Sequence, residues 1–249
     1  MRAQPLAERH PERQASTQET VRRKLLENDQ VLVIETTYPV KGSVPMHSHR
    51  FPQVLYVIEG GTVEATAADG TVEVLEIQAG QTAWRLAQAH STRNIGSTRV
   101  KIVEVEVKLA RGAAGVVDEK PIVVAPADIS WTPDSLDPSR ASALLIGDPQ
   151  RLGPFTVRYR VPAGYTLGLH LHPDEGEHLT VLSGTLHWSS GEAGSGAPVY
   201  TVPAGGVALI PAGMPHRLWT AEATTVQLSG VGPRSYRYLD PAEDPRARG

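Results

Sequence analysis

Three histidines recur twice along the chain in one arrangement, and the distance between the two copies is almost constant. His47 and His49 precede His170 and His172 by 123 residues. Gln53 and Gly60 precede Glu177 and Gly184 by 124, and Gly80 and His90 precede Gly206 and His216 by 126. A repeat held over six such positions means two copies of one structural unit. The 249 residues suit two small domains, and a hydrophobic content of 40% gives each of them material for a core.

Each unit reads as all-β. From Gln30 the apolar period is two, with strand-like runs at Val31 to Glu35, Val54 to Glu59, Thr62 to Thr66, Thr71 to Ile77 and Val100 to Val107. Gly60-Gly61, Asp69-Gly70 and Ala79-Gly80 supply turns between them. The second series follows at Thr156 to Val161, His178 to Leu182, Thr185 to Trp188, Val207 to Ile210 and Thr225 to Leu228. Many short strands and little helix predict a barrel or jelly roll in each half. One short helix is expected at about Thr17 to Glu27, from the Ser16/Glu19 capping box and the stripe of Val21, Leu25 and Leu26. The expected organisation is an arm with this helix (1–28), a first barrel (29–112), a linker (113–120) and a second barrel (121–249). Ile122 to Val124 and Ala143 to Ile146 would be lead-in strands of the second barrel.

The histidines carry the chemistry. Alternate side chains of a strand share a face, so His170 and His172 project into one cavity. Pro173, Asp174 and Gly176 allow a turn into the strand of Glu177, and Pro211-Ala212-Gly213 places His216 to close the set. Three imidazoles and a carboxylate suit a divalent first-row ion: Fe, Mn, Zn or Ni among others. Four protein ligands leave room for water, substrate or dioxygen, as in catalytic sites. Six of the nine histidines of the chain fall on these positions.

The run Gly164, His170, His172, Glu177, Gly184, followed by Gly206, Pro211, Gly213 and His216, resembles the two motifs of the cupin superfamily. That resemblance implies two tandem cupin barrels, and it implies His170, His172, Glu177 and His216 as metal ligands. Thr220 stands where the family often has Asn. The first half has His47, His49, Gln53 and His90 in the same places, with Asn94 following. Gln53 replaces the family's Glu, and Arg85 and Ala87 replace its Pro and Gly. A Gln carbonyl ligates without bringing charge, so an ion there would be held more weakly and would favour an anionic partner. Two readings of the first barrel compete: a second metal site, which the retained histidines favour, or a purely structural barrel. The stretch from Val226 through Pro245 is similar to cupins related to the zinc-binding domain of bacterial anti-sigma factors.

Other residues are read as structural. His178 should point away from the site, and His187, Trp84, Trp188 and Trp219 belong to the core or wall of the barrels. Arg158 and Arg160 alternate on one strand, either on the barrel surface or facing a carboxylate in the second cavity. Cysteine is absent, which excludes disulfides, thiolate nucleophiles and Cys-type zinc sites. A net charge of −3 gives no case for nucleic acid or an anionic membrane, and no apolar run is long enough to span one. Met1 to Gln14 lacks the apolar stretch of a signal peptide, so a cytoplasmic protein is expected. By analogy with other such barrels a homodimer is expected. The functional expectation is a metal-dependent enzyme of the dioxygenase type acting on a small organic molecule. A lyase, isomerase or cyclase is the first alternative, and a metal- or small-molecule-sensing module the second.

Overall fold

In the computed structural model residues 19–108, 121–191 and 195–248 are described. The expected arm at 1–15, the Ser16 cap and the 113–120 linker lie outside them. Each half forms a pair of antiparallel sheets that close on one another as a barrel.

In the first half one sheet contains β1 (Val21–Glu27), β2 (Val31–Tyr38), β4 (Gln53–Glu59), β7 (Thr82–Arg85), β9 (Val100–Val107) and β10 (Ile122–Val124), in the order β1-β2-β9-β4-β7-β10. The facing sheet contains β3 (Ser43–Ser48), β5 (Gly61–Ala67), β6 (Val72–Ile77) and β8 (Ala89–Asn94), in the order β3-β8-β5-β6. The two-residue period decides what each face does. Val57 and Ile102 look inward with Tyr38, Val44, Val63 and Val100 to form the barrel core. Val31, Val33, Val54, Trp84, Val103 and Val105 look outward, yet they are buried too.

What covers them is the second half. Its larger sheet runs β11 (Thr132–Pro133), β12 (Ala141–Ile146), β13 (Gly153–Val161), β20 (Thr224–Gly232), β15 (Glu177–Ser183) and β18 (Val207–Ile210). The smaller runs β17 (Val199–Pro203), β16 (Thr185–Ser189), β19 (His216–Trp219), β14 (Thr166–Leu171) and β21 (Arg237–Tyr238). Ala143, Leu145 and Ile146 of β12 join the outward valines of the first half in one cluster. Polar contacts cross the same boundary. Arg158 donates to Thr82 Oγ1 at 2.7 Å and to the Gly80 carbonyl at 3.1 Å, and Thr82 Oγ1 donates to Gln227 at 3.0 Å. The outer faces of the two larger sheets therefore meet, which explains why Val100–Val107 is buried on both sides.

Two expectations need correction. Val21–Glu27 is a strand, not a helix, and pairs antiparallel with β2. A lone helix of eleven residues or so is marginal in water, whereas here the segment covers the open edge of β2. It also places Arg23 against Glu35 at 3.0 Å and Arg22 against Glu104 at 3.6 Å. Ile122–Val124 does not lead into the second barrel; it pairs with Trp84, Ala83 and Thr82 of β7 and completes the first sheet.

Candidate metal centres

His170 lies on β14 directly opposite His216 on β19, and Glu177 opens β15. His172 follows β14 and is tied to the turn before His216, because the Gly213 amide donates to its carbonyl at 2.7 Å. That turn needs Gly213, whose φ of 73° is disfavoured for other residues. The four ligand atoms lie within 4.8 Å of one another and all four residues are buried. His172 Nε2 is 3.1 Å from Glu177 Oε1, and His216 Nε2 is 3.2 Å from Oε2.

The tautomers follow from the partners. A carbonyl can only accept, so an imidazole nitrogen beside one must carry its proton. His170 Nδ1 faces the Gly168 carbonyl at 2.8 Å, His172 Nδ1 faces Ser235 at 2.6 Å, and His216 Nδ1 faces Met214 at 2.9 Å. All three thus turn an unprotonated Nε2 toward the centre, and that of His170 is buried with no partner among the described residues. Burial, reinforced by His216, pushes the His170 pKa down to about 3, so its lone pair is free at neutral pH.

The C-terminal segment supplies a residue with no counterpart in the motif. Arg234 is buried, bonds Glu177 and lies 3.1 Å from His172 Nε2 through Nη2. Burial would raise the Glu177 pKa, but the Arg234 guanidinium beside it outweighs burial and holds the carboxyl well below its usual range. Tyr236 packs against His170 and His172, and Arg234 lies over its ring. Glu175 accepts from the Ser235 amide at 3.2 Å and is pushed up to about 7 by burial, which Arg234 opposes.

The first barrel repeats the geometry with different supports. His47 and His90 face each other across β3 and β8, and the ligand atoms of His47, His49 and His90 lie within 4.8 Å of one another. His47 Nδ1 donates to the Pro45 carbonyl at 2.8 Å. His49 Nδ1 lies 2.8 Å from Glu106 Oε1, a carboxylate–histidine pair of the kind that orients metal ligands. The Nε2 atoms of His47 and His49 are then both unprotonated, and they face each other at 3.0 Å. Two lone pairs at that distance repel unless a cation lies near both. Gln53 is fully buried, and among the described residues neither its Oε1 nor its Nε2 has a partner. Burial pushes His49 down to about 4 and His90 down to about 3. Glu106 is legible in retrospect, because Glu104 and Glu106 alternate with valines in the run Val103–Val107 of a buried strand.

Both donor sets fit a divalent ion: converging neutral imidazoles, a carboxylate or amide oxygen, and buried polar atoms otherwise orphaned. The remaining candidates fall elsewhere. His178 Nδ1 donates to the Ser229 carbonyl at 3.1 Å, and His187 stacks on Trp219. Arg158 is at the junction of the barrels rather than in the second cavity or at the surface, and Arg160 lies over Trp131. Thr220 and Asn94 do the same work in the two halves: Thr220 Oγ1 donates to the Pro162 carbonyl and Asn94 Nδ2 to that of Pro39.

The fold with these two centres is that of a two-barrel cupin. The family model described as Cupin domain matches residues 157–229, within the second barrel. Oxalate decarboxylase from Lactobacillus farciminis, in its formate complex, is similar over 84% of this chain and 79% of its own, with a TM-score of 0.59 and 14% identity. Oxalate decarboxylase from Bacillus subtilis at pH 4.6 is similar over 84% of this chain and 70% of its own, with a TM-score of 0.57 and 12% identity. At these identities the likeness concerns the fold. No curated protein matches the chain by sequence.

Proposed function

We propose that this chain is a metal-dependent two-barrel cupin enzyme acting on a small organic molecule. One divalent ion would be held by His170, His172, Glu177 and His216, and a second by His47, His49, Gln53 and His90. The observation that carries this reading is the orientation of the imidazoles: five of the six have Nδ1 tied to a carbonyl or carboxylate, which leaves Nε2 aimed at a shared centre. When bound, such an ion supplies Lewis acidity and open coordination positions. Fe, Mn, Zn and Ni all suit the donors.

Oxygenase chemistry is the first reading, since a nitrogen-rich set with open positions suits a redox-active ion. Non-redox lyase chemistry is the second. It is supported by the two-barrel neighbours, which are named as oxalate decarboxylases, one of them in a study of its Mn(II) centres. A sensing module finds less support, because the segment expected to offer a partner-binding helix is a sheet strand instead. Metal analysis of untagged protein tests the shared claim, and two bound ions per chain are expected. Oxygen consumption against carbon dioxide release over a panel of small organic acids then separates the two chemistries. A metal-free protein, whose His170→Ala variant melts and reacts like the parent, would sink the reading.

A further inference from the structure

The two barrels differ in what surrounds the histidines. The first contains a cavity of about 190 Å³ that reaches His90. The second retains about 30 Å³ near Glu177 and Arg234. Strand register explains the difference. In the first barrel Ala65 pairs with Thr92, two residues past His90. In the second barrel the pair two residues past His216 is Trp188 with Leu218. A small residue beside a Thr thus leaves open a space that an indole and a Leu fill on the other side.

The cavity walls are apolar: Leu55, Val57, Val63, Leu75, Ile77 and Ile102 are among them. The exceptions include two carboxylates, exposed Glu76 and buried Glu104, the latter engaged by Arg22 and Thr36, and one cation. Arg85 sits opposite Gln53 on the neighbouring strand, so the two side chains share the inward face. At the matching place in the second barrel, opposite Glu177, is Ile210. Arg85 is half-buried, and among the described residues it has no hydrogen-bond or ion-pair partner. A half-buried guanidinium facing an apolar chamber leaves unmatched charge and unmatched donors in a place where pairing is worth most.

We propose that the first barrel binds an amphipathic monocarboxylate, with the carboxylate held by Arg85 beside the His47–His49–Gln53–His90 centre and the apolar body in the chamber lined by Leu55, Val63 and Ile102. This deepens the proposed function and rests on it, since an ion at that centre would share the carboxylate. A cavity of about 150 Å³ accommodates benzene, so this one suits a benzene-sized ring bearing one small group. Such a ligand has the apolar body that oxalate lacks. The chamber's rim includes exposed Glu76 on β6 and exposed Val123 on β10, which are edge strands of the two sheets. A ligand would enter through the seam between those edges.

The test is calorimetric titration of the full chain with benzoate, benzamide and oxalate, with metal content measured on the same samples. Benzoate should bind at least roughly tenfold more tightly than either of the others, about 1.4 kcal/mol by the usual conversion. Arg85→Met should erase the preference for benzoate over benzamide, and Ala65→Trp should abolish binding of both. Equal affinity for acid and amide, tighter binding of oxalate, or unchanged binding by Arg85→Met would overturn the proposal. Should Arg85→Met fold poorly, Arg85→Lys keeps the charge and removes the fork, and it should retain part of the preference. Benzoate selectivity in protein that holds no metal would support the Arg85 anchor while defeating the metal reading. Metal retained without benzoate selectivity would do the reverse.

Discussion

At matching inward positions beside the two centres the first barrel has charged residues where the second has none, and this inverts what the ligand sets alone suggest. Glu177 against Gln53 makes the second centre the more negative by one charge. The neighbours offset that difference, because Arg234 bonds Glu177 in the second centre while Glu106, bonded to His49, adds a carboxylate to the first. Around the centres the asymmetry runs the other way. Arg85, Glu104 and Glu106 occupy inward positions of the first barrel, and Ile210 and Leu228 stand where Arg85 and Glu104 do in the second. The better-matched motif therefore lies in the tighter barrel, and the looser motif has the room for a substrate. Motif quality reports how well an ion is held; free volume reports where an organic molecule fits.

Several substitutions would break or sharpen this contrast. The largest effect belongs to His170→Ala, which should lose the second-barrel ion and halve the metal content, leaving the first-barrel ion in place; elemental analysis after dialysis reads this directly. Next is Trp188→Ala. Trp188 is buried and stacks on Tyr200 at 4.3 Å, so truncation should destabilise the fold by about 3–5 kcal/mol in urea titrations. It should also open in the second barrel the chamber that Ala65 leaves in the first, which a crystal structure would reveal. Glu106→Gln removes the charged partner of His49 and should weaken first-barrel metal binding by roughly 10–100-fold in competition with a chelator. The second-barrel ion should be unaffected.

The smallest effect is pH-dependent. Burial, only partly offset by Arg22 and Thr36, raises the Glu104 pKa above its ordinary 4.5. A carboxyl raised in the folded state contributes its full stability below 4.5, and that contribution is lost as pH rises through the folded value. Glu104→Gln keeps the protonated form's shape without this loss. The variant should melt with the parent at pH 4 and above it at pH 8, and a parent that melts higher at pH 8 would show that the ionised Glu104 is stabilising.

Much of this was legible in the sequence because it depends on local spacing. The two-residue period of a strand puts His170 beside His172 and His47 beside His49, and the repeat announces two barrels. What escaped depends on register between distant strands. Arg85 becomes inward-facing only through its pairing with Gln53, and Ala65 and Trp188 matter only through what lies opposite them. Arg234 arrives from a tail that follows the last motif histidine by eighteen residues, a distance no ligand-spacing rule covers. The Thr17–Glu27 segment misled because its apolar residues fit a helical stripe, whereas the uncovered edge of β2 and the carboxylates of Glu35 and Glu104 favour a strand.

Strand β7 gives the two halves a shared wall. Ala83 and Arg85 face the first chamber, while Thr82 and Trp84 face the other barrel, and β10 pairs with the same strand. Cutting the chain before β10 would leave that wall with a bare edge, so the halves should not behave as interchangeable modules that can be expressed apart. Filling the first chamber should instead stiffen the junction and raise the melting of the whole molecule as one transition, making occupancy of one barrel a property that the other one feels.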